Sequence, residues 1–333
     1  MARPNGGTMY QRLFLAALLT ACGSASTDDD TATDKDEGAD TGIQDDDAPD
    51  PDDSDGAAPL ATLSSDDCPD MSTSGTSTFT SSGTERTVTM VLPSEVTSDM
   101  PVIFFFHGLL DASMSSPSSY MASGLNLQTY ADELGAVFIL PESGLMTVMG
   151  FSFYMWTVDT VDGEDIVLYD DLRTCASREL DVNLDRIAAM GFSGGGLFTT
   201  VVARDRGDTL SSIVELSGGS DVTIPTFTDL FSEYDTPAYP MPALLMAGGS
   251  ADVWPGGGFT IVDFSAATDS LQDQLVDDGH FVVRCEHTQG HDVPYSAMLD
   301  SWSWIEAHVY GQPSPYQANG IEDLNSDCDI MTD

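Results

Sequence analysis

The sequence predicts an α/β fold, a mostly parallel central sheet flanked by helices in a single large domain. Three observations predict it. Short apolar runs, Val102 to Phe106, Ala136 to Leu140, Ile187 to Met190, Ile213 to Leu216, Ala243 to Ala247 and Phe281 to Cys285, have the length and unbroken hydrophobicity of strands covered on both faces. Helix-length stretches alternate with them at Glu164 to Glu179, Gly195 to Arg206, Ala266 to Asp278 and Tyr295 to Tyr310, and such alternation favours parallel crossovers. A chain of 333 residues, 41% of them hydrophobic, can also bury one sizeable core.

The apolar run Leu13 to Ala21 follows Arg12 and stops at Cys22, well short of the roughly 20 residues that a membrane-spanning helix needs. It reads as a signal peptide core. The segment Leu19-Thr20-Ala21-Cys22 resembles the bacterial lipobox, in which the cysteine is lipidated and becomes the first residue of the mature chain. The membrane is thus expected to be met only through a lipid on Cys22, with the protein at the outer membrane or cell surface, or secreted. Residues 23–67 follow, rich in Asp, Thr, Gly, Pro and Ser, with too little apolar surface to offset the entropy of ordering. They are expected to form a disordered acidic linker. Arg86 to Leu92 alternates like an exposed strand, and the domain is expected to run from 68 to 312, leaving an acidic tail over 313–333.

Charge and cysteine content restrict the function. Lys and Arg together number 10 against 55 acids, a formal net charge of −45, which repels nucleic acid and anionic membrane surfaces. Nucleic-acid binding is excluded. Beyond Cys22 the cysteines are Cys68, Cys175, Cys285 and Cys328, an even number that suits two disulfides in an oxidising compartment, with three pairings open. No zinc-type Cys/His spacing is present, so no metal is expected. Nothing resembles a phosphate-cradling glycine loop either, so no cofactor is expected.

The strongest chemical signal is Gly191-Phe192-Ser193-Gly194-Gly195, placed directly after a strand and before a helix. A serine at such a turn is presented as a nucleophile, because small residues on either side let strand and helix approach closely. The nucleophile needs a base and an acid to orient it, expected downstream in the order Ser, Asp, His. The strand Ala243 to Ala247 leads into Gly248-Gly249-Ser250-Ala251-Asp252, nominating Asp252, with Asp221 and Asp263 as rivals. For the base, His280 precedes its strand and His308 sits in an amphipathic helix. His287 and His291 remain, and Gly290-His291-Asp292 favours His291. An oxyanion requires two preformed backbone N–H groups. Gly194 should supply one and Leu109, in His107-Gly108-Leu109, the other. His107 reads as a structural residue of that loop. Tyr154, Trp156 and Trp254 lie in loops near strand ends and are candidates for substrate contact, with Phe151 beside them.

These residues carry a resemblance. Phe106-His107-Gly108, the Gly191 to Gly195 elbow, Gly249-Ser250-Ala251-Asp252 and Cys285-Glu286-His287 followed by Gly290-His291-Asp292-Val293-Pro294 occur in the order found in α/β-hydrolases of the polyhydroxybutyrate depolymerase and feruloyl esterase type. That group includes acetylxylan esterases. Over residues 68–310 the resemblance implies an α/β-hydrolase fold and a serine esterase. Ser193 would be the nucleophile, Asp252 the acid and His291 the base. It implies action through an acyl-enzyme on hydroxyalkanoate, feruloyl or acetyl-polysaccharide esters, small or polymeric. The protein is expected to be a monomer. A serine peptidase of the same fold would share every candidate residue, and a non-catalytic surface binding protein is the alternative from a different class.

Overall fold

The computed structural model describes residues 56–332, apart from 149–150, 159, 161, 225–229 and 257–258. The chain divides into two units, 1–55 and 56–333. The expected signal peptide, lipidated Cys22 and most of the expected linker therefore lie outside the described residues.

Nine strands form the main sheet: β1 Gly75–Ser81, β2 Thr84–Val91, β3 Met100–Phe106, β4 Val137–Pro141, β5 Val182–Phe192, β6 Ser212–Leu216, β7 Ala243–Ala247, β8 Val282–Glu286 and β9 Cys328–Met331. Their spatial order is β1-β2-β4-β3-β5-β6-β7-β8-β9. The six strands from β4 to β8 pair in parallel. The edges are antiparallel, through β1, β2 and β4 on one side and β8 with β9 on the other. Among the described residues seven α-helices accompany the sheet: α1 Pro117–Gly124, α2 Leu127–Leu134, α3 Glu164–Glu179, α4 Gly194–Arg206, α5 Phe264–Asp277, α6 Tyr295–Ala307 and α7 Pro315–Asn319.

Both sheet faces are covered, as the unbroken apolar runs require. Ile103 and Phe105 of β3, Phe138 of β4, Met190 of β5, Val214 of β6 and Leu244 of β7 share one core with Leu127 of α2 and Trp302 of α6. The alternate residues of β3 point the other way. Phe104 meets Tyr169 of α3 with ring centroids 4.6 Å apart, and Phe106 meets Phe198 of α4 at 4.9 Å. The alternation of a single strand thus assigns α2 and α6 to one face and α3 and α4 to the other.

The expected boundaries move at both ends. Residues 56–67, expected as linker, are strapped to the domain. Ala57 N–H donates to Asp185 Oδ1 (3.0 Å), Ser64 N–H to Asp171 Oδ1 (2.8 Å) and Thr174 Oγ1 to the Ala61 carbonyl (3.0 Å). Buried Asp171 and Arg173 of α3 need partners, and this segment's backbone and hydroxyls supply them. The expected C-terminal tail contains α7 and β9, and β9 extends the sheet in register with β8. β2, expected to be exposed, is mostly buried because it is paired on both sides, by β1 and β4, and α1 packs against it through the Thr89–Ser118 hydrogen bond. The disulfides are Cys68–Cys175 and Cys285–Cys328. Among the described residues no helix is long and apolar enough to cross a membrane.

Candidate active site

Ser193 stands between β5 and α4 with φ 59° and ψ −122°, a conformation that non-glycine residues avoid. The turn is sterically possible because its flanking positions lack side chains. A Cβ on Gly191 would sit 2.1 Å from the Gly195 carbonyl oxygen, and one on Gly195 would sit 2.1 Å from the Phe106 carbonyl oxygen. The Ser193 N–H donates to the Leu216 carbonyl of β6 at 3.0 Å, which fixes the turn against the sheet. The N-terminus of α4 lies directly behind the serine, where the helix dipole favours negative charge.

Asp252 and His291 come from the loops after β7 and β8, the next two strands but one along the sheet. His291 Nε2 lies 2.9 Å from Ser193 Oγ, and His291 Nδ1 lies 2.7 Å from Asp252 Oδ1. With the carboxylate ionised, Nδ1–H donates to it and Nε2 is left to accept the serine hydroxyl proton. The other carboxylate oxygen, Oδ2, accepts from Ser217 Oγ (2.7 Å) and from the Gly248 N–H (2.8 Å). Asp252 is fully buried. Burial alone would raise its carboxyl, but the hydrogen bonds from His291, Gly248 and Ser217 outweigh it and hold the group below the usual carboxylate range. The imidazole is clamped between two rings, Phe192 at 4.9 Å and Phe264 at 4.3 Å, both nearly parallel to it.

The rival residues have other partners. Asp221 accepts from Gln274 Nε2 and the Tyr234 N–H, and Asp263 caps the N-terminus of α5 through the Ala266 N–H. His287 Nδ1 accepts from the Gln289 N–H at 3.2 Å. His280 donates to the Met241 carbonyl, and His308 bridges the Trp304 carbonyl and Ser314 Oγ.

Leu109 and Gly194 are brought side by side. A Cβ on Gly194 would lie 3.4 Å from the Leu109 nitrogen. The loop carrying Leu109 is held by His107, whose Nδ1–H donates to the Gly108 carbonyl (2.7 Å) while Nε2 accepts the Ser143 N–H (3.1 Å). Burial pushes this imidazole below its ordinary value, so it stays neutral and braces the loop.

Trp156, expected to contact substrate, is instead a core residue at 2% exposure. Its Nε1–H donates to the His107 carbonyl at 2.7 Å, and its ring stacks on Phe198 at 4.6 Å. A large ring there fills the space beneath the loop that holds Leu109. Tyr154 is half-buried on the strand Phe151–Tyr154, opposite Leu110 and Leu145. Trp254 is half-buried on the strand Val253–Gly256, immediately after Asp252. Ser217, Phe192 and Phe264 were not singled out by the sequence. Ser217 follows a strand end as Asp252 does, which is the one signal that pointed to it. Among the described residues the one grouping with metal-ligand spacing is Cys285, Asp300 and Cys328, and its two sulfurs are bonded to each other.

No family model and no curated protein matches this sequence. Solved structures do. The chain is similar to native sOPH at a TM-score of 0.63 and 17% identity, covering 78% of this chain and 94% of that one. It is similar to a serine-to-cysteine variant of pOPH solved with DMSO at 0.62 and 17%, with the same coverage. It is also similar to a thermostable esterase at 0.50 and 14%, covering 72% of this chain and 64% of that one. At such identities the likeness is one of fold. The class is therefore that of the α/β-hydrolase fold, with a mostly parallel sheet and helices on both faces.

Proposed function

We propose that the protein is a serine carboxylic ester hydrolase that works through an acyl-enzyme. The observation that carries this reading is the unbroken hydrogen-bonded series Ser193, His291, Asp252 at a strained strand-to-helix turn. In this reading Ser193 Oγ attacks the ester carbonyl carbon while its proton passes to His291 Nε2. The carbonyl oxygen becomes an oxyanion that accepts from the Leu109 and Gly194 N–H groups, with the α4 N-terminus adding its field. His291 then gives the proton to the leaving alkoxide. A water repeats the sequence to release the acid, and Asp252 stays ionised throughout, holding the imidazole in the tautomer that can receive a proton.

Tyr154 and Trp254 are proposed to meet the acyl or alcohol group, and hydroxyalkanoate, feruloyl and acetyl-polysaccharide esters are the proposed substrates. The purified protein should hydrolyse at least one of p-nitrophenyl butyrate, methyl ferulate, acetylated xylan and a soluble 3-hydroxybutyrate oligomer, and its Ser193→Ala variant none. If wild type cleaves none of them and does not react with a serine-directed phosphonate, the hydrolase reading fails. We further propose that the protein is exported and anchored through a lipid on Cys22, with the acidic segment after it as a spacer. In a bacterial host, a clickable fatty acid should label the wild type and not Cys22→Ser, and equal labelling would exclude the anchor.

A further inference from the structure

The end of β6 and the turn after it carry two buried polar side chains, Glu215 and Ser217, that the mechanism above does not use. Ser217 is left-handed at φ 49° and wholly buried, and its Oγ donates to Asp252 Oδ2. Two residues earlier, Glu215 is fully buried on β6. Its Oε1 lies 2.6 Å from Thr200 Oγ1 of α4, and its Oε2 accepts the Gly219 N–H at 2.7 Å. Thr200 Oγ1 also lies 2.9 Å from the Gly219 carbonyl.

An ionised Glu215 fits this arrangement poorly. Thr200 has one hydroxyl proton and two acceptors facing it, and the hydrogen-bond partners of the carboxyl among the described residues, Thr200 and Gly219, carry no charge. A carboxylate without a cation in a dry site is costly. A protonated Glu215 closes a ring: Oε1–H donates to Thr200 Oγ1, Thr200 donates to the Gly219 carbonyl, and the Gly219 N–H donates to Oε2. Burial correspondingly pushes this carboxyl up to about 8. The ring ties α4, whose first residue follows the nucleophile, to the turn that presents Ser217.

Resting on the esterase reading, we propose that Ser217 and Glu215 are positioning residues, Ser217 fixing the free oxygen of Asp252 and Glu215, as a neutral hydrogen-bonding group, bracing the turn that carries Ser217. The groups that face Asp252 are His291 and Gly248 beside Ser217, with His287 and Arg284 more distant. Of these Ser217 is the one side-chain donor besides the imidazole itself. Losing it leaves the carboxylate charge less dispersed, so the carboxylate holds a proton on His291 more tightly.

The test compares wild type, Ser217→Gly, Glu215→Gln and Glu215→Ala in the full chain. Glycine suits the left-handed backbone at 217 and removes only the hydroxymethyl group. Ser217→Gly should lower kcat on p-nitrophenyl butyrate by about tenfold, the equivalent of one charge-assisted hydrogen bond, with KM nearly unchanged and the acid limb of the pH profile moved upward. The low-field proton resonance of the His291 Nδ1–H should shift in parallel. Glu215→Gln, the neutral isostere, should keep both kcat and the resonance, whereas Glu215→Ala should lose both. A Ser217→Gly variant with wild-type kcat, pH limb and resonance would overturn the role of Ser217, and a Glu215→Gln as impaired as Glu215→Ala would overturn the neutral brace. If wild type itself cleaves no ester, the esterase reading falls and the resonance still decides the positioning.

Discussion

His287 and His291 lie in the same loop after β8, and their ring nitrogens have different partners. His291 is stacked between Phe192 and Phe264 and bonded at both nitrogens, to Ser193 and to Asp252. His287 is half-exposed, accepts only from the Gln289 N–H, and is pushed below the ordinary imidazole value by its partial burial. A general base must be within hydrogen-bond reach of the proton it takes. His291→Ala is therefore expected to lower kcat/KM on an active ester by about 10⁴-fold or more, while His287→Ala stays within an order of magnitude of wild type. Steady-state kinetics on both variants checks this, and the reverse ranking would reassign the base. The nomination of His291 from its glycine and proline neighbours was possible because loop chemistry is local. Trp156 shows where such reading stops. Its position after a strand suggested a solvent-facing ring, but the ring is claimed by Phe198 and the His107 carbonyl, contacts that arise only when distant segments meet.

At the scale of elements, the buried parallel strands and the longer helices are legible in the sequence, while the Ser/Thr-rich edge strand β1 and the short elements are not. α3 spans the stretch read from sequence, and the six parallel strands sit on their apolar runs, because burial on both faces leaves a continuous hydrophobic signature. The three-stranded sheet of Leu110–Asp111, Leu145–Val148 and Phe151–Tyr154 has strands of two to four residues that exist only by pairing with one another. α1 was missed although Ser116 caps it and Pro117 opens it, since its apolar residues do not form a stripe. β9 was missed because Asp and Met do not advertise a strand, and what holds it is register with β8 and the Cys285–Cys328 bond. Cys68–Cys175 acts at a longer distance, tying the segment that precedes β1 to the middle of α3 across 107 residues. A link closing so long a loop is worth about 2–5 kcal/mol by its restriction of the unfolded chain. The paired substitution of Cys68 and Cys175 to serine should therefore lower Tm by about 5–10 °C, read by calorimetry without reductant. An unchanged Tm would mean that the strap from Gly56 to Asp67 holds to α3 by its hydrogen bonds alone.

At the scale of the whole molecule, buried titratable groups set a window of stability within a strongly acidic surface. Residues 68–333 carry 39 acids against seven arginines, so repulsion varies with pH and must be screened before other effects are read. In about 1 M salt the Debye length is about 3 Å. What remains is dominated by groups held in one protonation state. His107, His280 and His308 are buried, and each is pushed below the ordinary imidazole value chiefly by loss of water, His308 to about 4. A histidine whose folded value is depressed contributes stability that is present above the unfolded value and lost as pH falls toward the folded one. His308 alone, falling from 6.5 toward 4, should cost about 2 kcal/mol at pH 5. Glu215 acts in the opposite sense. Its folded value is raised from 4.5 to about 8, so its contribution is complete below the unfolded value and is lost as pH rises through the folded one. The two windows overlap between about pH 4.5 and pH 6.5, where a fall in pH costs stability at the histidines and restores it at Glu215, so the histidines are read in a chain that lacks the glutamate. Tm scans in 1 M NaCl are expected to fall by about 5 °C between pH 7 and pH 5 in Glu215→Gln, where the glutamate no longer offsets the histidines. They should fall less when His308→Gln is added to it, since glutamine keeps a donor and an acceptor for Trp304 and Ser314 but has nothing to protonate. Between about pH 6.5 and pH 8, above the histidine window, Glu215→Gln should hold its Tm where wild type declines. A double variant whose profile parallels Glu215→Gln down to pH 5 would move the acid flank to His107 and His280, whose rings hold the loop of Leu109 and the segment before β7.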